Sequence, residues 1–232
     1  MTAVFITSSG TELGKTFVTA ALCRQLRAKG QPVRALKPVI SGFDDQTAPE
    51  SDTYQLIEAM GETPSGTLTD VVSPWRFKEA LSPDMAAACE GRSIPFDKLV
   101  EHCQAAVETH EGALLIEGVG GVMVPLDDKH TVLDWMAALK LPCLLVVGSY
   151  LGSLSHALTA ARALETAGLT LAGVVVSESE ECPVPVEESA ETLRRFLPET
   201  AVRIVPRQKG EIDWNAVPEL TGLLDRLNKD LS

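Results

Sequence analysis

The sequence predicts an α/β fold: a doubly wound, mostly parallel sheet flanked by helices. Short apolar runs rich in Val, Leu and Ile recur at residues 113–116, 143–147 and 171–176. They do not alternate with polar residues, as expected of strands buried on both faces of a parallel sheet. Longer stretches with helical apolar spacing separate them, and alternating β and α units define this class. Glycine-rich turns follow several strands, at the edge where open α/β sheets bind ligands. A chain of 232 residues suits a single domain over 1–232.

Taken in order, residues 3–7 read as a buried strand. Residues 15–29 read as a helix, with Val18, Ala21, Leu22 and Leu26 on one face and Gly30 as its stop. Residues 33–36 form a second strand, closed by Pro38, which cannot donate to a ladder. A surface loop over 44–50 leads to a short helix over 51–60, with Ser51 as its cap. Ser82-Pro83 opens another helix, with proline where the first-turn amide needs no partner. An amphipathic helix over 96–110 precedes the strand at 113–116. Helices follow at 132–139, 156–167 and 187–196, with strands at 143–147, 171–176 and 202–205. The acidic stretch 177–186 reads as a surface loop, and a last helix is expected over 216–228. Right-handed crossovers place every strand C-terminus on one rim, and the first two strands of a βαβ unit are expected near each other.

The formal charge of −12 disfavours nucleic acid and anionic membrane as partners. It leaves room for a nucleotide, because a few cations and backbone amides can hold phosphates. No apolar run approaches the ~18 residues of a membrane span. Met1-Thr2-Ala3-Val4 has no basic segment, so no secretion signal is expected. The cysteines, Cys23, Cys89, Cys103, Cys143 and Cys182, are scattered without C-x-x-C pairs and read as reduced thiols of a cytoplasmic protein.

The chemistry gathers after the strands. Ser8-Ser9-Gly10-Thr11-Glu12-Leu13-Gly14-Lys15-Thr16 leads into a helix and is close to the P-loop pattern, with its first glycine at Gly10 instead of position 9. In such a loop, backbone amides and the helix N-terminus cradle phosphate oxygens. Lys15 would reach the β- and γ-phosphates, and the Thr16 hydroxyl would take Mg²⁺. Lys37, at the end of the second strand, can stand beside the phosphates. Asp52 begins a helix and can bind Mg²⁺ through water. Glu117, ending a buried strand and followed by Gly118-Val119-Gly120-Gly121, suits a second carboxylate of a nucleotide–metal site. The small residues of Gly148–Ser155 can receive a carboxylate at a helix start, with ordinary capping the competing reading. His102, His110 and His130 lack ligand spacing, and His156 sits at the rim.

Together these segments resemble the dethiobiotin synthetase family. The resemblance is carried by Thr11–Thr16, Leu36-Lys37-Pro38-Val39 with Ser41-Gly42, Ser51-Asp52, Leu81-Ser82-Pro83 and Glu117–Gly121. Leu151-Gly152, Ser155-His156-Ala157 and the run over 167–173 continue it, so that it covers about residues 1–176. It implies a P-loop NTPase fold, ATP as co-substrate, Mg²⁺, a homodimer, and ring closure of 7,8-diaminopelargonic acid with CO₂. It also implies roles. Lys37 and Lys15 are catalytic, and Thr16, Asp52 and Glu117 hold the metal. Glu12, Leu13, Gly14, Lys15, Thr16, Asp52, Glu117, Ser177, Pro206 and Arg207 contact nucleotide. Thr11, Glu12, Lys37, Ser41, Gly118, Gly152, Ser153 and Ser155 contact substrate, the last three across the dimer interface at its tail carboxylate.

This chain departs from the family at Ser8, usually Gly, at Gly10, usually Asp, and at Asp84, often His. Ser177 stands where the family often has Asn near the base, so nucleoside triphosphates besides ATP are expected to serve. The alternative is a P-loop switch ATPase of the septum-positioning or partitioning type. Such proteins usually carry a second lysine early in the loop, where this chain has Ser9 and Gly10, and the tail 222–232 is short and weakly basic for an anchor. A GTP switch would need Asn-Lys-x-Asp, and Asn228-Lys229-Asp230 is one residue short. A cobyrinate-amidating synthetase would need a glutaminase domain, for which the chain is too short.

Overall fold

The computed structural model describes residues 2–224. Its strands are β1 (Thr2–Ser8), β2 (Val33–Leu36), β3 (Val39–Ser41), β4 (Trp75–Phe77), β5 (Ala113–Glu117), β6 (Cys143–Val147), β7 (Leu171–Ser177) and β8 (Val202–Val205). Its helices are α1 (Lys15–Ala28), α2 (Asp52–Ala59), α3 (Gly66–Val72), α4 (Pro83–Cys89), α5 (Phe96–Thr109), α6 (Val132–Leu139), α7 (Ser153–Thr166) and α8 (Val186–Phe196). Six strands form one sheet in the order β2-β5-β1-β6-β7-β8, all paired in parallel.

The unbroken apolar runs are explained by two cores, one on each face of this sheet. Phe5, Leu114, Ile116, Leu145 and Val174 pack on one side with α4, α5, α6, α7 and α8. Val4, Ile6, Leu115, Leu144 and Val175 pack on the other with α1, α2 and Val217, Leu220 and Leu223. Successive side chains of a strand point to opposite faces, so a strand covered on both sides needs apolar residues throughout. The edges differ: β2 exposes Arg34 and β8 exposes Arg203. Helix α6 begins in a capping box, Thr131 accepting from the Asp134 N–H while Asp134 accepts from the Thr131 N–H.

The structure revises some expectations. β5 lies between β1 and β2, so the first two strands are not neighbours. All five residues of β5 are buried, which suits an interior position, whereas β2 suits an edge. Helix α7 starts at Ser153, ahead of the expected position 156. The small β3–β4 sheet and α3 were not expected: three-residue strands are too short for a period, and α3 is rich in β-branched residues, which are weak helix formers. Trp214–Ala216 is a 3-10 turn where the last helix was expected to begin, and the end of that expected helix lies outside the described residues. Among the described residues, no helix is long and apolar enough to cross a membrane.

The chain enters the sheet at its centre with β1, moves to one edge with β2, and crosses to the other side after β5. The end of β1 therefore lies where the strand order reverses, the place where open α/β sheets form their crevice.

Candidate active site

Between β1 and α1, the loop turns through Glu12 at φ 58° and Gly14 at φ 86°. Both values lie in the left-handed region, which costs about 1–2 kcal/mol for a residue with a Cβ. A side chain at Gly14 would also place its Cβ 2.9 Å from Ser177 Oγ. Gly14 caps α1 without a side-chain hydrogen bond, so no side chain occupies the place of an anion at this fourteen-residue helix.

Lys15 is buried at 6% exposure, and its ammonium donates to Ser8 Oγ at 3.1 Å. Burial first, and then the charge of Lys37, bring its pKa down to about 8. Lys37 Nζ instead lies 2.6 Å from Glu117 Oε1 and 2.7 Å from Asp52 Oδ2. Burial opposes its charge, but the two carboxylates outweigh burial and raise its pKa. Burial likewise opposes the charge of Asp52, and Lys37 together with the Thr16 hydroxyl outweighs it, lowering that pKa. Thr16 Oγ1 donates to Glu117 Oε1 at 2.7 Å. Glu117 is fully buried, and its Oε2 has no hydrogen-bond partner.

Of these groups, Lys15, Thr16, Lys37 and Asp52 line a cleft of about 600 Å³, together with Thr11, Glu12, Leu13, Gly14 and Ser41. Ile40, Ala80, Leu81, Ser82, Pro83, Val119, Gly120 and Val124 complete its wall. A second cavity of about 490 Å³ lies across Glu12, Leu13 and Gly14. Ser177, Pro206 and Arg207 line it, with Phe17, Glu178, Ser179, Glu180 and Ile212. Arg207 is held by Glu180 at 3.0 Å, and its backbone N–H donates to Glu178 at 2.9 Å.

Most of the residues singled out from the sequence thus meet at two hollows that share Glu12, Leu13 and Gly14 as lining. Glu117 and Gly118 line neither: Glu117 has no exposure and bonds to Thr16 and Lys37 of the cleft wall, and the Gly118 N–H donates to Ile6 O at 2.9 Å beneath the site. Gly152, Ser153 and Ser155 stand at the start of α7, outside both cavities of this chain. Sequence reasoning missed the Ser8 contact to Lys15 and the walls supplied by Phe17, Val119 and Val124. Phe17 adjoins Thr16 and stacks on Trp214 at 5.1 Å, a contact with no local sequence pattern.

The site can be tested against a divalent ion. Among the described residues, no three or more His, Cys, Asp or Glu side chains are grouped to hold a metal. Two carboxylates and a hydroxyl are present, one buried carboxylate oxygen being unpartnered. Mg²⁺ is usually held by one or two carboxylates together with substrate phosphates and water, so this donor set fits it.

A family model described as AAA domain matches residues 2–214. Curated relatives include the ATP-dependent dethiobiotin synthetase BioD of Acidiphilium cryptum (strain JF-5), 50% identical over 85% of this chain and 89% of the relative. The protein of the same name from Caulobacter sp. (strain K31) is 45% identical over 93% of this chain and 91% of the relative. The chain belongs to the AAA domain family and to the ATP-dependent dethiobiotin synthetases. Among solved structures, chloroplast FtsY from Physcomitrella patens matches with a TM-score of 0.54 at 14% identity, over 92% of this chain and 62% of that one. The MinC:MinD complex of Aquifex aeolicus matches with a TM-score of 0.54 at 12% identity, over 97% of this chain and 86% of that one. These two likenesses show the P-loop fold alone. The synthetase relatives do not favour the switch ATPase alternative.

Proposed function

We propose that this chain is a ligase of biotin biosynthesis that closes the ureido ring of dethiobiotin, using ATP, CO₂ and 7,8-diaminopelargonic acid (7,8-diaminononanoate). One observation carries the reading. A buried Lys37 ammonium, fixed by Glu117 and Asp52, shares a cleft with a second buried ammonium, Lys15, whose partner is a hydroxyl and not a carboxylate. A pair of cations held this way suits a ligand that brings its own negative charge.

In this reading, one amine of the substrate takes up CO₂ as a carbamate. A carbamate oxygen attacks the γ-phosphate, ADP leaves, and a mixed carbamic-phosphoric anhydride results. The second amine attacks the carbonyl carbon, closes the ring and expels phosphate. Phosphoryl transfer asks for alignment and charge neutralisation more than covalent help. Lys15 neutralises the β- and γ-oxygens, and Lys37 stands by the carbamate as its charge shifts to phosphate. Thr16, Asp52 and Glu117 would hold Mg²⁺, which supplies further neutralisation of phosphate oxygens when bound. The nucleotide runs over Glu12, Leu13 and Gly14, with its base among Ser177, Pro206 and Arg207. Thr11, Glu12, Lys37 and Ser41 line the diamine, while Gly118, beneath the cleft, supports the neighbouring Val119 and Gly120 of its wall.

Gly152, Ser153 and Ser155 lie outside this chain's cleft and would receive the substrate's tail carboxylate from a second copy, in a homodimer. The whole chain works as one unit, and its place is the cytoplasm, in keeping with five free thiols. The test is direct. Diamine, bicarbonate, Mg²⁺ and each nucleoside triphosphate are supplied, and dethiobiotin is sought by mass. Formation of dethiobiotin with ATP is expected; nucleotide hydrolysis indifferent to the diamine would favour a switch instead.

A further inference from the structure

We infer that Ser8 is the positioning residue for Lys15: its hydroxyl holds the ammonium open to the β- and γ-phosphates and away from Glu117. The inference rests on the nucleotide reading of the cleft.

Ser8 ends β1 and is fully buried. Its Oγ accepts from Lys15 Nζ at 3.1 Å. Its single proton faces two carbonyl oxygens, those of Gly10 and, at 2.9 Å, Gly120. Its own carbonyl accepts from the Val122 N–H at 3.0 Å. Gly121 packs so closely here that a Cβ would lie 3.1 Å from the Gly10 nitrogen. Ser8 thus ties the phosphate loop to the loop that follows Glu117, with Lys15 as the third party to the contact.

Lys15 needs such a partner. Among the described residues it forms no salt bridge, whereas Lys37 forms two. Glu117 keeps one buried oxygen unpartnered and lies within electrostatic reach of Lys15. Burying a charge without a partner is costly, so an ammonium released by Ser8 has an outlet in Glu117 Oε2. Pairing there would cancel the positive charge that the outer phosphates meet.

The experiment measures binding of ATP, ADP and AMP to the full chain by calorimetry, with KM for ATP and for the diamine alongside. Lys15 serves the β- and γ-phosphates, so Ser8→Ala is expected to weaken ATP and ADP about tenfold, equivalent to about 1.4 kcal/mol. AMP binding and the diamine KM should stay within about twofold. Ser8→Thr keeps the hydroxyl and should restore ATP binding to within about threefold. If Ser8→Ala does not fold, Ser8→Cys carries the same comparison, because a thiol of similar size is a weak acceptor. Unchanged or tighter ATP binding in Ser8→Ala or Ser8→Cys, or an equal loss for AMP, would overturn the assignment. A wild-type chain that binds no nucleotide at all would sink the nucleotide reading itself.

Discussion

Replacing Lys37 by Met removes an ammonium that is 3% exposed and bridges two carboxylates at 2.6 and 2.7 Å. The consequences for the partners are unequal. Asp52 is half-buried and can regain water, while Glu117 has no exposure and keeps only the Thr16 hydroxyl at 2.7 Å. Breaking a buried pair by removing one partner costs about 3–5 kcal/mol. For a chain of this size, 1 kcal/mol moves Tm by about 2–4 °C, so Lys37→Met should melt roughly 6–20 °C lower. The protein should still fold, since domains commonly hold about 5–15 kcal/mol. The double variant Lys37→Met/Glu117→Gln removes the buried carboxylate that Lys37 had neutralised and should recover part of the loss, with a coupling of about 1–3 kcal/mol in a double-mutant cycle. Denaturant unfolding of wild type, both single variants and the double variant supplies the numbers. Additivity within about 0.5 kcal/mol would refute the reasoning, because it would mean that Glu117 does not depend on Lys37. Dethiobiotin formation by Lys37→Met, or by Lys37→Ala, should fall at least about a hundredfold; wild-type-like turnover would remove Lys37 from the chemistry.

Three other outcomes are expected. Gly14→Ala meets both an unfavourable φ of 86° and the Ser177 hydroxyl at 2.9 Å, so nucleotide affinity and Tm should both fall. Adding Ser177→Ala relieves only the contact, and full recovery in the double variant would show that the backbone angle is not the constraint. Lys15 has a pKa of about 8 in the nucleotide-free chain, and phosphates favour its protonated form. ATP binding should therefore take up a proton as pH rises through 8, with affinity declining above that value. Calorimetry in buffers of different ionisation enthalpy reads this directly, and the absence of proton uptake near pH 9 would count against it. Thr131→Ala removes the capping box of α6, away from both cavities, and should lower Tm by about 2–4 °C with KM values unchanged.

The unpartnered Glu117 oxygen and the hydroxyl-bound Lys15 are both unusual for buried groups, most of which find partners within the protein. Lys15 lines the cleft, while Glu117 is buried and bonded to Thr16 and Lys37 of its wall, and this makes the site asymmetric. Lys37 is neutralised in advance by carboxylates, whereas Lys15 waits for charge from a ligand.

The residues themselves determined much of this. Apolar runs at β5, β6 and β7 mark strands covered on both faces, and Gly14-Lys15-Thr16 between a strand and a helix marks a phosphate loop, because both depend on neighbours within a few positions. Lys37 and Glu117 were legible as strand-end residues for the same reason. Only the tertiary structure decided that β5 enters between β1 and β2, bringing Glu117 to Thr16 and Lys37 across 101 and 80 residues of chain. It likewise decided that Ser8 meets Lys15 and Gly120, that Ser177 closes over Gly14, and that the start of α7 stays outside the cleft. Strand order depends on which surfaces are buried most fully when all the layers pack together, a competition that leaves no periodic trace in any one segment.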